Sequence, residues 1–340
     1  MTNLLLAGDV GGTKTLLGLF ERAATRPRVL TVSYFGTLEH DGLSSIVDTF
    51  LRDCEIAAAN VSAACFGAAG PVIDGTVHLT NVPWYVDARA LTVKFGFKSI
   101  HLLNDLEAMA YAMPVLGGDE LHVLQEGTAA PHGNIGIIAA GTGLGEALLH
   151  QVDGRQVASP SEGGHADFSA RTEREMRLVR DLTDRYGRAD VEHVISGRGL
   201  LNIHRVSHSA PCTGGVDLDD AASAPAAITS AALESRCAGC VEALDLFVEA
   251  YGAEAGNLAL RSVATGGIFV GGGIAPKILP AMTDGRFIDA FRHKSPFESL
   301  LEAIPVKVIL NHNLGLVGAA AYAARLFAGQ GDGVSGVSAQ

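Results

Sequence analysis

The sequence has a single tryptophan, only 25 basic residues against 37 acidic ones, and no uncharged apolar run long enough to cross a bilayer. A net charge of −12 repels nucleic acid and anionic lipid surfaces at long range, so neither is expected as a partner. The missing apolar run excludes a spanning helix. The N-terminal MTNLLLAGDV is strand-like and carries neither a basic leader nor a cleavage site, which makes a cytoplasmic protein the expectation. Five cysteines (Cys54, Cys65, Cys212, Cys237 and Cys240) are odd in number and too scattered for a disulfide framework. The pair Cys237-x-x-Cys240 has no second C-x-x-C to complete a zinc site, and partly buried free thiols are expected there.

Glycine, by contrast, is abundant. The chain has 41 glycines in 340 residues, with 48% hydrophobic and 18% charged residues. That balance and length suit two α/β domains rich in tight turns, each able to bury a core. An acidic surface does not exclude a nucleotide, because backbone amides and Mg²⁺ bind phosphate locally.

Apolar runs at 4–20 read as strand, glycine turn, strand, and the pattern returns at 135–149. Between them, residues from Ser45 have helical spacing, VSAACFGAAG reads as a buried strand, and HLLND (101–105) ends another strand before a helix in LEAMAYAMPVL. After Gly187, helices are expected over roughly 228–262, then a strand and glycine turn in IFVGGGIAP, and a last strand, loop and helix from Val306. The tail from 329 to 340 lacks an apolar period and reads as disordered.

In DVGGTKT, Gly11 and Gly12 let several backbone N–H groups converge on an anion, Thr13 adds a hydroxyl, and Asp9 could hold Mg²⁺ through water. An ordinary two-glycine hairpin accounts for the same residues. The Walker A spacing is absent, and a strand rather than a helix follows. In AAGTGLGE, Gly141 and Gly143 fit a dinucleotide fingerprint, but Gly145 comes one residue early and again a strand follows, so a Rossmann site is excluded. In FVGGGIAP, Gly272 allows either a packed turn or close approach of an adenine or ribose. Asp105 is suited to receive a proton during phosphoryl transfer, and equally suited to cap the helix that follows.

Taken in order, DVGGT, TNVPW, LLNDLEA, AAGTGLG, PSEGGH, ISGRGL and FVGGGIAP resemble the successive motifs of the bacterial glucokinase family, the hexokinase-like group distinct from ROK kinases. The resemblance covers about residues 4–327. ROK kinases share DVGGTK but usually carry a cysteine-rich zinc motif after their histidine, and that motif is missing here. The resemblance implies an α/β protein of the actin-like ATPase/hexokinase (ribonuclease H-like) fold, with two lobes around a nucleotide–sugar cleft. Residues 1–110 with about 312–328 would form the small domain and 111–311 the large one. It implies transfer of the ATP γ-phosphoryl to the 6-hydroxyl of glucose with Mg²⁺, Asp105 as base, and a homodimer as the assembly.

By the same resemblance, Asn104, Glu162, His165 and Glu192 would contact the sugar. Asp9, Gly11, Gly12, Thr13, Gly141, Thr142 and Gly272 would serve the nucleotide, with Asp9 holding Mg²⁺ through water. Asn81 and Trp84 would shape the cleft, Trp84 as either packing or stacking surface. Lys14, where many members carry asparagine, and Glu146, where a small residue is common, depart from the pattern. A kinase of another hexose or an N-acetylated amino sugar is the nearest alternative. A chaperone or filament protein of the same fold leaves LLND and SEGGH unexplained, and a sugar-sensing repressor would want a helix-turn-helix before DVGGT.

Overall fold

The computed structural model describes residues 4–80, 82–208 and 210–329; Asn81 and residues 330–340 of the tail lie outside them. The chain divides into two compact units, one comprising residues up to Leu116 together with those from Asn313 onward, the other Gly117–His312.

In the first unit, β1 (Leu4–Val10) and β2 (Lys14–Glu21) are joined by the Gly11–Thr13 turn, and β3 (Arg28–Gly36) completes an antiparallel meander. Helix α1 (Leu43–Asp53) follows; Leu43, Ile46, Val47, Phe50 and Leu51 recur at helical spacing and are all buried. β4 (Val61–Ala68) is buried along its whole length and pairs parallel with β1, as a central strand must. A small antiparallel sheet of β5 (Val72–Ile73), β6 (Thr76–His78) and β7 (Tyr85–Asp87) leads into α2 (Ala88–Phe95), β8 (Ile100–Asn104) and α3 (Asp105–Ala112). The main sheet has the order β3-β2-β1-β4-β8. Trp84 is buried in the core of this unit, so it is a packing residue.

The second unit opens with β9 (Leu121–Gln125), then β10 (Ile135–Ala140), β11 (Leu144–Val152) and β12 (Arg155–Ser161). Helices α4 (Glu173–Tyr186), α5 (Gly197–Ser207), α6 (Ala224–Leu233) and α7 (Ala238–Ser262) come next. The sequence predicts helices over roughly 228–262, and the structure has two, α6 and α7, separated at Ser235, whose φ is 54°. α7 is buried nearly all round, which is the signature of a core helix. β13 (Gly267–Gly271), α8 (Leu279–Met282), α9 (Arg286–Arg292), α10 (Glu298–Ala303) and β14 (Val306–Ile309) complete the unit. The sheet order is β12-β11-β10-β13-β14-β9.

Its first five strands repeat the first sheet in order and direction: an antiparallel meander followed by two parallel strands. The repeat read from the two glycine turns is thus a repeat of whole sheets. The last described helix is α11 (Leu314–Gly329), which packs on α3, β1 and β4 of the first unit. No helix among the described residues is long and apolar enough to cross a membrane.

Candidate active site

In the first unit, β8 passes directly into α3, and the residue at the junction decides what Asp105 does. Asn104 is the cap: its Oδ1 accepts the Leu106 N–H at 2.9 Å, and Glu107 Oε2 accepts the Asn104 N–H at 3.0 Å. Asn104 Nδ2 also donates to the Gly70 carbonyl at 3.1 Å, which leaves this amide one further N–H for a ligand. The cap role open to Asp105 in the sequence therefore falls to its neighbour. Asp105 is the first helical residue, half-buried, with Oδ1 accepting from Leu106 N–H at 2.9 Å.

Asp9 lies on β1 opposite Gly67 of β4. Burial, and then the charge of Asp105, push its carboxyl up to about 6 against the opposing pull of Lys14. A Cβ on Gly315, the second residue of α11, would stand 2.8 Å from Asp9 Oδ2, so the start of that helix lies against the carboxylate. Gly318 allows the same closeness between α11 and α3, since a Cβ there would overlap the Ala108 carbonyl. Neither glycine stood out in the sequence; the small residues of NLGLVG were the available signal.

The turn of Gly11, Gly12 and Thr13 is closed by Gly11 N–H on the Lys14 carbonyl at 3.1 Å. It is held from outside by Thr37, whose N–H donates to Thr13 O at 3.0 Å and whose hydroxyl donates to Gly11 O at 2.9 Å. Lys14 Nζ sits 3.9 Å from the centre of the Tyr34 ring, so the side chain lies along the strand surface.

In the second unit, two segments run antiparallel: Glu192 N–H donates to Gly164 O at 2.8 Å and Val191 N–H to Ala166 O at 3.0 Å. This pairing places Glu162 and His165, both exposed, beside Glu192. Asp190, missed in the sequence, lies 3.6 Å from His165 Nδ1 and also accepts the His193 N–H at 2.8 Å. Glu192 is half-buried, and its Oε2 accepts the Leu144 N–H at 2.9 Å, directly after the glycine turn. Gly164 packs on the Leu144 carbonyl, and Gly143 on the Glu192 carboxylate; a Cβ at either would overlap. Sugar-type and phosphate-type residues of this unit thus form one cluster.

The turn of Gly141, Thr142 and Gly143 is braced from three sides. The N–H of Gly197, first residue of α5, donates to Gly141 O at 2.9 Å. Tyr251 on α7 accepts the Ala140 N–H at 3.1 Å and donates to the carbonyls of Ile138 and Gly271. Gly272 has φ +82°, and a Cβ there would overlap the Ala140 backbone, so packing alone requires this glycine. The position with open space is Gly273.

Glu146 is buried, and neither of its oxygens has a well-formed hydrogen bond among the described residues. Burial, and then the charge of Glu254, push it up to about 7. A Cβ on Gly163 would overlap its carboxylate, so Glu146 sits directly behind the loop that carries Glu162 and His165.

The glucokinase family model matches residues 6–326. A glucokinase of Nostoc punctiforme is 40% identical over 341 residues, covering 95% of this chain and 99% of its own. The crystal structure of a glucokinase from an Antarctic psychrotroph superposes with a TM-score of 0.85 at 27% identity, covering 96% of this chain and all of its own. A ROK-family glucokinase from Streptomyces griseus, solved with glucose and AMPPNP, shares the fold at a TM-score of 0.62 and 22% identity, covering 95% and 99%. Two sheets of one topology, a glycine turn after the first strand of each meander, a carboxylate at the β8–α3 junction, and a match over nearly the whole length agree: the chain belongs to the glucokinase family.

Proposed function

We propose that this protein phosphorylates D-glucose with ATP, giving glucose 6-phosphate and ADP. Asp105 accepts the 6-hydroxyl proton as the oxygen–phosphorus bond forms and the bond from the γ-phosphorus to the β,γ-bridging oxygen breaks. The observation that carries this role is that Asn104, and not Asp105, is the N-cap of α3, while the charge of Asp105 is near enough to act on Asp9. A sugar hydroxyl is far less acidic than a carboxylic acid, so Asp105 acts during transfer and not before it, a contribution of about 10²–10⁴-fold.

Asn104, Glu162, His165 and Glu192 hold the sugar hydroxyls. Asp190 serves as a positioning residue, its carboxylate standing 3.6 Å from His165 Nδ1. The two glycine turns supply phosphate contacts, with Thr13 and Thr142 adding hydroxyls, and the open backbone at Gly273 suits the nucleoside. Asp9 fits a Mg²⁺ site: it is a buried carboxylate with a second acid near it. The ion, when bound, neutralises phosphate charge. A homodimer in the cytoplasm completes the reading.

A coupled assay tests it. Glucose and Mg–ATP should give glucose 6-phosphate, mannose, fructose and N-acetylglucosamine much less. Asp105→Ala should lower kcat by about 10²–10⁴-fold while calorimetry still detects glucose binding. Turnover on another hexose with none on glucose overturns the substrate; unchanged kcat in Asp105→Ala overturns the base.

A further inference from the structure

The two cysteines that lack metal partners in the sequence acquire them in the fold. Cys237 is the N-cap residue of α7 and Cys240 lies in its first turn. The loop after α5 brings His208 and Cys212 against them. His208 Nε2 is 3.3 Å from Cys237 Sγ, Cys212 Sγ is 3.8 Å from Cys237 Sγ, and Cys212 and Cys240 sulfurs are 3.6 Å apart. Zinc bound tetrahedrally at about 2.3 Å to sulfur and about 2.0 Å to nitrogen sets ligand–ligand edges of roughly 3.5–3.8 Å. All five cysteines are free thiols, and 3.6–3.8 Å is far beyond a disulfide bond.

We propose that His208, Cys212, Cys237 and Cys240 form a structural Zn²⁺ site in the second unit.

The surroundings support a metal over a chance meeting of thiols. His208 Nδ1 lies 2.8 Å from the His204 carbonyl, an arrangement that puts the proton on Nδ1 and leaves the Nε2 lone pair facing the sulfurs. The Gly214 N–H points at Cys212 Sγ at 3.4 Å, the type of contact that favours a thiolate. Two glycines keep the ligands close: a Cβ on Gly239 would come within 2.5–2.6 Å of the His208 ring, and one on Gly214 would meet Ala231 at 2.7 Å. His204 is buried beside the cluster with neither ring nitrogen partnered among the described residues, and its ring centre is 3.9 Å from that of His208. Among the described residues, the one convergence of three or more metal-type ligands is here: His204, His208, Cys212 and Cys240 have ligand atoms within 4.8 Å of one another, and Cys237 Sγ joins them through its closeness to His208 and Cys212. Four protein ligands leave no open coordination position, so the site is structural, not catalytic. Binding displaces three thiol protons to solvent.

The ion would tie the end of α5 to the start of α7. These are the two helices that brace the Gly141 turn, through Gly197 and Tyr251 respectively. Its removal therefore loosens the frame behind that turn without touching the turn itself.

The full chain, purified without an affinity tag, should carry one zinc per chain by elemental mass spectrometry. After stripping under reducing conditions, its Tm should fall by at least ~5 °C. Cobalt(II) added to the stripped chain should give the intense visible bands of a tetrahedral site with thiolate charge-transfer absorption in the near ultraviolet. Cys212→Ser and Cys237→Ser should lose both signals, and Cys54→Ser, in the other unit, should keep them. If the serine variants do not fold, the cobalt titration of the unaltered chain still decides. Absence of cobalt or zinc uptake by the reduced chain at ~10 μM metal, or a Cys212–Cys240 disulfide in freshly purified protein, overturns the site.

Discussion

Asp9 is ionisable where ionisation is costly, and that gives it a signature in stability as well as in catalysis. Its carboxyl is pushed from 3.8 up to about 6, chiefly by burial and then by Asp105. A shift of this size corresponds to about 3 kcal/mol at most. In acid below the unfolded value both states are protonated and Asp9 costs nothing. As pH rises through that value the unfolded chain releases its proton while the folded chain keeps it, so stability falls until about pH 6 and is then flat. Asp9→Asn should therefore raise the Tm of the ligand-free protein at pH 7.5, match the unaltered protein near pH 4, and lose the Mg²⁺-dependent rate. Scanning calorimetry at the two pH values checks this, and a variant less stable at pH 7.5 would contradict it. Asp9 and Asp105 were legible because each closes an apolar strand run, where a carboxylate needs a reason. Gly315 was not, since its partner is some 300 residues away and only folding brings them together.

Glycine carries information at the element scale only when its neighbours are known. Gly271, Gly272 and Gly273 look alike in the sequence, yet Gly272 has φ +82° and backbone against it, whereas Gly273 faces open space. Gly272→Ala should cost about 2–4 kcal/mol through strain and overlap, read as a lower denaturation midpoint. Gly273→Ala should leave that midpoint within about 0.5 kcal/mol and raise KM for ATP instead. Equal effects of the two substitutions on stability would remove the distinction. The meanders were readable because apolar runs bounded by glycine have few other solutions. The break between α6 and α7 was not, because Ser235 has no intrinsic liking for positive φ. Distant contacts impose it: Thr213 donates to the Arg236 carbonyl at 3.0 Å and Arg236 donates to the Gly214 carbonyl at 2.6 Å. The same clamps assemble the cysteines, which is why a search for spaced C-x-x-C pairs could not find that cluster.

For the whole molecule, the topology makes one unit an insertion in the other. Residues Gly117–His312 enter after the α3 region and leave just before α11. Both ends of the insertion are fastened within it: β9 pairs with β14, Leu121 opposite Ile309, the Leu310 N–H donates to the Glu120 carbonyl at 2.8 Å, and Asn311 bonds the Glu120 side chain. Among the described residues, its hydrophobic core runs from Ile138 to Val308. The first unit is in the opposite position, because α11, which covers β1, β4 and α3, follows the insertion in the chain. A fragment of residues 117–312 should accordingly fold alone, with a cooperative thermal transition by circular dichroism, whereas 1–116 should not fold until α11 is restored by fusion of 313–329. A non-cooperative melt for 117–312 would mean that the insertion borrows its stability from the unit that carries it. A cooperative one would place the repeated sheet, and not the uninterrupted chain, as the element that folds.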